Sequence, residues 1–332
     1  MRRPPLHRKL LYALVPTVFV LVNAAALGEW WLRRQQPGAF DQRVLQPSPL
    51  SDPAHPHRRC YAEHPTVGYA PRPGTCGRDD RGLRVHEPGL PGDPLKVLVV
   101  GDSIADQDEW VAVLQDQLEV ELQRPVLALN SGVPGFDTCS EVALMEARAQ
   151  AADVDLVLLQ LCLNDFEVSA AVLPLGDGQV RLHAGSTYEL PAWVLRSRLA
   201  LWAAMRWGWG LVGEGQRRST EPIDSCLDHL VDLSKEEGFI VATAVFPAFI
   251  SDPSSMDVVV EGRRATAGAA EDHALALMEL RGVPAWNLRA WLQARGPLEN
   301  QRNAPQDVWH PDTPAQHAIG RSLAPVLADL LR

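Results

Sequence analysis

Lys96-Val97-Leu98-Val99-Val100-Gly101-Asp102-Ser103 is the stretch on which the fold turns, an apolar and largely β-branched run that stops at Gly-Asp-Ser. With Pro94 before it and Gly101 after it, the run suits a strand covered on both faces, as in a parallel sheet. Its serine then sits in the turn at the carboxyl end of the strand. In open α/β sheets that edge is where ligands bind, because loops converge there and helix N-termini point free N–H groups at it. Gly, Asp and Ser are also ordinary turn residues, so the tripeptide alone does not separate a nucleophile from a turn.

The chain that follows repeats the pattern. Trp110, Val113, Leu114, Leu118 and Leu122 recur at helical spacing, with Asp108 as a suitable cap. Val126-Leu127-Ala128-Leu129 is a second short run and ends in the turn-rich Asn130-Ser131-Gly132-Val133-Pro134-Gly135. A helix is predicted over 140–151, then a third run, Leu156 to Leu161, that ends in Cys162-Leu163-Asn164-Asp165. Strand, helix, strand, helix, strand predicts a parallel sheet with helices on both faces. Ile223, Leu227, Leu230, Val231 and Ser234 define a further helix closed by Gly238, and Phe239 to Phe246 is the fourth strand. A helix over 269–281 leads to a short fifth strand at 283–288, then a loop carrying Asp307-Val308-Trp309-His310-Pro311, and a last helix over 315–331. The expected fold is a three-layer α/β/α sandwich around a five-stranded parallel sheet, flavodoxin-like in type.

Two segments depart from this rhythm. Residues 35–94, rich in proline, glycine and charge, read as a linker and irregular prelude to a domain over 95–332, with one short strand near Val67-Gly68-Tyr69. Residues 169–222 read as an insertion: a hairpin about Gly176-Asp177-Gly178, then a Trp-rich apolar helix over 192–213. Arg196, Arg198 and Arg206 spread around that helix and argue against a membrane span there. It is expected either to cap the domain or to rest on a membrane surface or line an acyl-chain pocket.

The first residues are basic, Met1 to Lys9, and Leu10 to Gly28 then runs without a charge, about the length that crosses a bilayer core. Trp30 and Trp31 stand where an aromatic belt lies. Residues 1–34 are therefore expected to form a transmembrane anchor through 10–32, with the N-terminus in the cytoplasm and the body periplasmic or extracellular. A signal peptide cleaved near Asn23-Ala24-Ala25-Ala26 is the competing reading. The chain carries 31 basic and 41 acidic residues, net −10, which argues against a nucleic-acid partner. Of five cysteines, Cys60 and Cys76 lie in a loop-like stretch that a disulfide would staple, while Cys139, Cys162 and Cys226 are expected as buried small hydrophobes. No cysteine or histidine spacing suggests a metal site.

On this topology Ser103, Gly135, Asn164, Asp307 and His310 all reach one sheet edge. Serine is a poor nucleophile without a base in reach and a group to orient that base, and Asp307 and His310, three residues apart, supply both types. Asp102 and Asp165 are expected to satisfy loop N–H groups in support. A nucleotide-binding domain is disfavoured, since neither a GxGxxG nor a P-loop pattern follows the first strand.

In Gly101-Asp102-Ser103, Asn130 to Gly135, Asn164-Asp165 and Asp307-Val308-Trp309-His310, taken in order, the chain resembles the SGNH (GDSL-type) hydrolase family. The resemblance implies Ser103 as nucleophile, His310 as base and then acid, and Asp307 as its orienter. It also implies an oxyanion hole from the Ser103 and Gly135 backbone N–H groups and the Asn164 side chain, with no cofactor. Cys162 and Leu163 depart from the glycine common before the third-block asparagine, and Gln316-His317 from the usual glycine-histidine pair. The expected function is a serine esterase acting on acyl esters of carbohydrate, lipid or small molecules outside the cytoplasm, including deacetylation of envelope carbohydrate. The alternatives are O-acyl transfer to polysaccharide by the same serine, and a non-catalytic glycan- or partner-binding envelope protein.

Overall fold

Successive residues of a strand face opposite sides of a sheet, and both sides here are apolar. In a computed structural model, residues 17–31 (except 19 and 21), 60–166 (except 65) and 223–332 (except 261 and 262) are described, with 172–176, 179–182, 186–189, 211–214 and a few single positions between 197 and 207. The chain first forms a hairpin, β1 (Tyr61–His64) and β2 (Gly68–Pro71), stapled by a Cys60–Cys76 disulfide. After β3 (Arg84–His86) come β4 (Leu95–Val100), α1 (Ser103–Asp106), α2 (Glu109–Leu122), β5 (Val126–Asn130), α3 (Thr138–Ala147) and β6 (Leu156–Cys162). β7 (Val172–Gly176), β8 (Gln179–Leu182), β9 (Ser186–Glu189) and β10 (Leu211–Glu214) make a separate antiparallel sheet. Then follow α4 (Ile223–Glu237), β11 (Ile240–Phe246), the hairpin β12 (Asp257–Val260) and β13 (Arg263–Thr266), α5 (Ala267–Leu280), β14 (Ala285–Asn287), α6 (Arg289–Gln293) and α7 (Thr313–Leu331).

The central sheet runs β14-β11-β6-β4-β5-β3. Its five parallel strands, counted as they occur in the chain, take the order 2-1-3-4-5, the flavodoxin-like winding. Leu98, Val100, Val157 and Leu159 pack with apolar residues of α3, α4 and α5 on one face. Val97, Val99, Leu156 and Leu158 pack with α2 and α7 on the other. The winding reverses between β4 and β6, so the turn after β4 opens at the switch point, where no crossover helix covers the sheet edge.

The structure corrects several expectations. The central sheet is six-stranded rather than a five-stranded parallel one, because β3 joins it antiparallel, from Arg84 opposite Asn130 to His86 opposite Ala128. Three residues with a charged or polar group at either end carry no periodicity to read, and the strand is held by its backbone register. The prelude is not irregular throughout: Tyr61, Val67, Tyr69 and Ala70 form a small core with Val133, Phe136, Ala143 and Leu144. Cys139 and Cys226 are not separate small hydrophobes but a disulfide joining α3 to α4, and Cys162 is a buried free thiol. Leu211 to Glu214, which include the end of the helix expected over 192–213, are instead strand β10, paired with β9.

Residues 22–31 are helical, and Glu29 accepts from Ser197 Oγ at 3.0 Å and from the Leu199 N–H at 2.9 Å. Among the described residues no helix is long and apolar enough to cross a membrane, so the expected transmembrane helix is not found there. Residues 1–16 and 32–34 of the expected anchor, 35–59 of the linker and most of 190–210 lie outside the described residues.

Candidate active site

The turn after β4 is shaped by close packing. A Cβ on Gly101 would lie 2.4 Å from Gln160 Oε1 and 2.9 Å from Gln160 Cβ, so only glycine lets β4 end this close to β6. Gln160, fully buried, accepts from the Asp102 N–H at 3.0 Å and the Ala105 N–H at 3.3 Å. Asp102 caps α1 by accepting from the Ile104 N–H at 2.8 Å. Ser103 is thereby held as the first residue of a short helix, with its side chain at the sheet edge.

His310 meets it from the loop before α7. Ser103 Oγ lies 2.7 Å from His310 Nε2, and His310 Nδ1 lies 2.8 Å and 3.0 Å from the two Asp307 carboxylate oxygens. A carboxylate only accepts, so Nδ1 carries the proton and Nε2 is left to accept from the serine hydroxyl. Asp307 also accepts from the Trp309 N–H at 3.0 Å and the His310 N–H at 3.1 Å. Those two bonds wrap the loop around the carboxylate, which is how a spacing of three brings acid and imidazole together outside a regular helix.

The 131–135 loop runs beside the nucleophile turn. The Ser131 N–H donates to Val99 O at 2.8 Å and the Val133 N–H to Gly101 O at 3.0 Å. Asn130 Nδ2 donates to Ala105 O at 2.8 Å. Gly135 has φ +78°, a left-handed conformation that favours glycine. From the end of β6, Asn164 donates through Nδ2 to Asp102 Oδ2 at 3.1 Å, and Asp165 accepts from the Cys162 N–H at 2.7 Å. Ser103, Asp307 and His310 are thus joined in one hydrogen-bonded row, with Asn164 joined to the nucleophile turn through Asp102. The departures Cys162 and Leu163 are both fully buried and belong to the core on opposite faces of the sheet.

Acidic groups crowd the underside of the site. Asp102, Asp137, Glu141 and Asp165 are all buried. Burial raises the pKa of Asp102 above the usual carboxylate range, against the opposing hydrogen bonds from Ile104 and Asn164. It raises Asp165 and Glu141 further, with the neighbouring acids adding to the effect. Among the described residues no group of histidine, cysteine or acidic side chains is arranged to hold a metal ion.

Gln160, Tyr69 and Arg78 contribute without having been singled out in the sequence. Gln160 left a signal, as the lone polar residue in Leu156-Val157-Leu158-Leu159-Gln160-Leu161. Tyr69 and Arg78 left none, because the loop carbonyls they bind, Pro134 O and Gly132 O, lie more than fifty residues further along the chain.

No protein-family model and no curated protein sequence matches the chain. Solved structures do show likenesses. A catalytic mutant of Axe2, an acetylxylan esterase from Geobacillus stearothermophilus, is 14% identical, with TM-score 0.45, over 72% of this chain and 95% of that one. The psychrotrophic esterase EstA from Pseudoalteromonas sp. is 15% identical, with TM-score 0.42, over 71% of this chain and 98% of that one. What the site can do follows from its own geometry.

Proposed function

We propose that the protein is a serine ester hydrolase working through an acyl-serine on Ser103. The observation that carries this reading is the unbroken row Ser103 Oγ, His310 Nε2, His310 Nδ1 and Asp307, with links of 2.7 Å and 2.8 Å. As Ser103 Oγ attacks the ester carbonyl carbon, His310 Nε2 takes the hydroxyl proton and then passes it to the departing alkoxide, which leaves as the alcohol. A water molecule, deprotonated by the same nitrogen, attacks the acyl-serine; the acid departs and the serine recovers its proton. Asp307 keeps its charge throughout and stabilises the imidazolium. The oxyanion falls to the Ser103 and Gly135 N–H groups and the second N–H of the Asn164 amide, whose first is engaged by Asp102.

Partial exposure of the His310 and Asp307 side chains, 27% and 22%, gives water a route to the acyl-serine and favours hydrolysis over transfer to a sugar hydroxyl. Placement outside the cytoplasm, by an N-terminal tether or after cleavage of a signal peptide, is supported by the basic start, the uncharged run 10–28 and two disulfides. Acetyl groups on envelope carbohydrate are the substrate class to try first in that compartment. Turnover of p-nitrophenyl acetate is the test: Ser103→Ala is expected to lower kcat by about a thousandfold or more, since residual rate then comes from binding and the oxyanion donors alone. Unchanged turnover in that variant would remove the reading.

A further inference from the structure

The segment 60–78, with the hairpin β1–β2, lies before the α/β domain, yet two of its side chains seize the loop that carries Gly135. The Tyr69 hydroxyl donates to Pro134 O. Arg78, 5% exposed, donates through Nη2 to Gly132 O at 2.9 Å and to Asp106 Oδ1 at 2.6 Å, and through Nη1 to Gly82 O at 2.9 Å. Tyr69 is held in turn by edge-on rings, Tyr61 at 6.0 Å and Phe136 at 5.3 Å between centroids. A Cβ on Gly135 would lie 3.1 Å from the Tyr69 hydroxyl, so the two residues are in contact range.

The geometry of the peptide unit gives this contact its meaning. In a planar trans peptide the carbonyl of one residue and the N–H of the next point in opposite directions. The peptide between Pro134 and Gly135 is trans. With its carbonyl turned to Tyr69, the Gly135 N–H is turned away from the hairpin, and rotation of that plane would break the tyrosine bond. Burial raises the Tyr69 pKa far above the ordinary phenol value, so the hydroxyl stays a donor across the working pH range.

Building on the hydrolase reading above, we propose that Tyr69 is a positioning residue: through Pro134 O it fixes the direction of the Gly135 N–H as an oxyanion donor. The Cys60–Cys76 staple and Arg78 hold hairpin and loop in register. The prelude is then part of the catalytic machinery of the domain behind it.

Tyr69→Phe keeps the ring packing and removes only the hydroxyl. With p-nitrophenyl acetate, the full chain carrying Y69F is expected to lose about tenfold in kcat with KM within twofold of wild type. That is a smaller loss than deletion of an oxyanion donor, which is about a hundredfold or more. Rates are expressed per site titrated with a fluorophosphonate, so that any misfolded fraction drops out, and melting temperature is read alongside. Unchanged kcat per titrated site, with or without a lower melting temperature, assigns Tyr69 to stability alone and overturns the inference. Failure of the wild-type Ser103 to react with the fluorophosphonate overturns the hydrolase reading, and the inference with it.

Discussion

Ser103 owes its position to residues that need touch no substrate, chiefly Gln160 and Asp102, which bind the backbone of the turn from below. Glu141 belongs to the same underlayer and has a measurable consequence. It is 2% exposed, neither carboxylate oxygen has a hydrogen-bond partner among the described residues, and burial followed by the charge of Asp165 raises its pKa well above the ordinary 4.5. Above that ordinary value the unfolded chain releases a proton that the folded chain retains, so the residue makes stability fall as pH rises. Glu141→Gln removes this titration. Thermal melts from about pH 5 to about pH 9 are expected to show the E141Q variant gaining on wild type as pH rises, in keeping with the linkage between protonation and folding. Parallel curves for the two proteins would mean that Glu141 ionises in the fold as readily as out of it.

Among the elements, α7 packs closely against α2, and a glycine sets the contact. A Cβ on Gly320 would lie 2.6 Å from Trp110 O and 2.9 Å from Leu114 N, backbone atoms that a side-chain rotation cannot move aside. Glycine inside a helix ordinarily costs about 1 kcal/mol relative to alanine. Here Gly320→Ala is expected to reverse that sign, because forcing the helices apart costs about 1–3 kcal/mol in a close-packed core. The expected drop in melting temperature is about 2–4 °C per kcal/mol of net loss, and a rise would show that the helices separate freely. The α3–α4 disulfide acts at the same scale. Cys139 and Cys226 are 87 residues apart, and the insertion lies between them, so the bond limits the chain entropy that this long excursion adds to the unfolded state.

For the molecule as a whole, the parallel core was legible because its strands are short apolar runs ended by glycine, asparagine or proline, a signal local enough to read without knowing the neighbours. The Asp307 and His310 pairing was legible for the same reason, since only two residues of loop separate them. What escaped depended on distance along the chain. β3 has no hydrophobic pattern and exists through its backbone partners in β5. Cys139 and Cys226 sit in apolar surroundings typical of a free thiol, and only the packing of α3 on α4 brings their Cα atoms to 5.2 Å. Tyr69 and Arg78 reach carbonyls of the loop before Gly135, a relation no spacing announces. The central claim is that Ser103 is a nucleophile activated by His310, and it is tested most directly by reacting the full chain with a fluorophosphonate and mapping the adduct by peptide mass spectrometry. One phosphonyl group on Ser103 is predicted, with labelling lost in Ser103→Ala and strongly slowed in His310→Ala. Labelling elsewhere, or at Ser103 with equal speed when His310 is replaced, would contradict it.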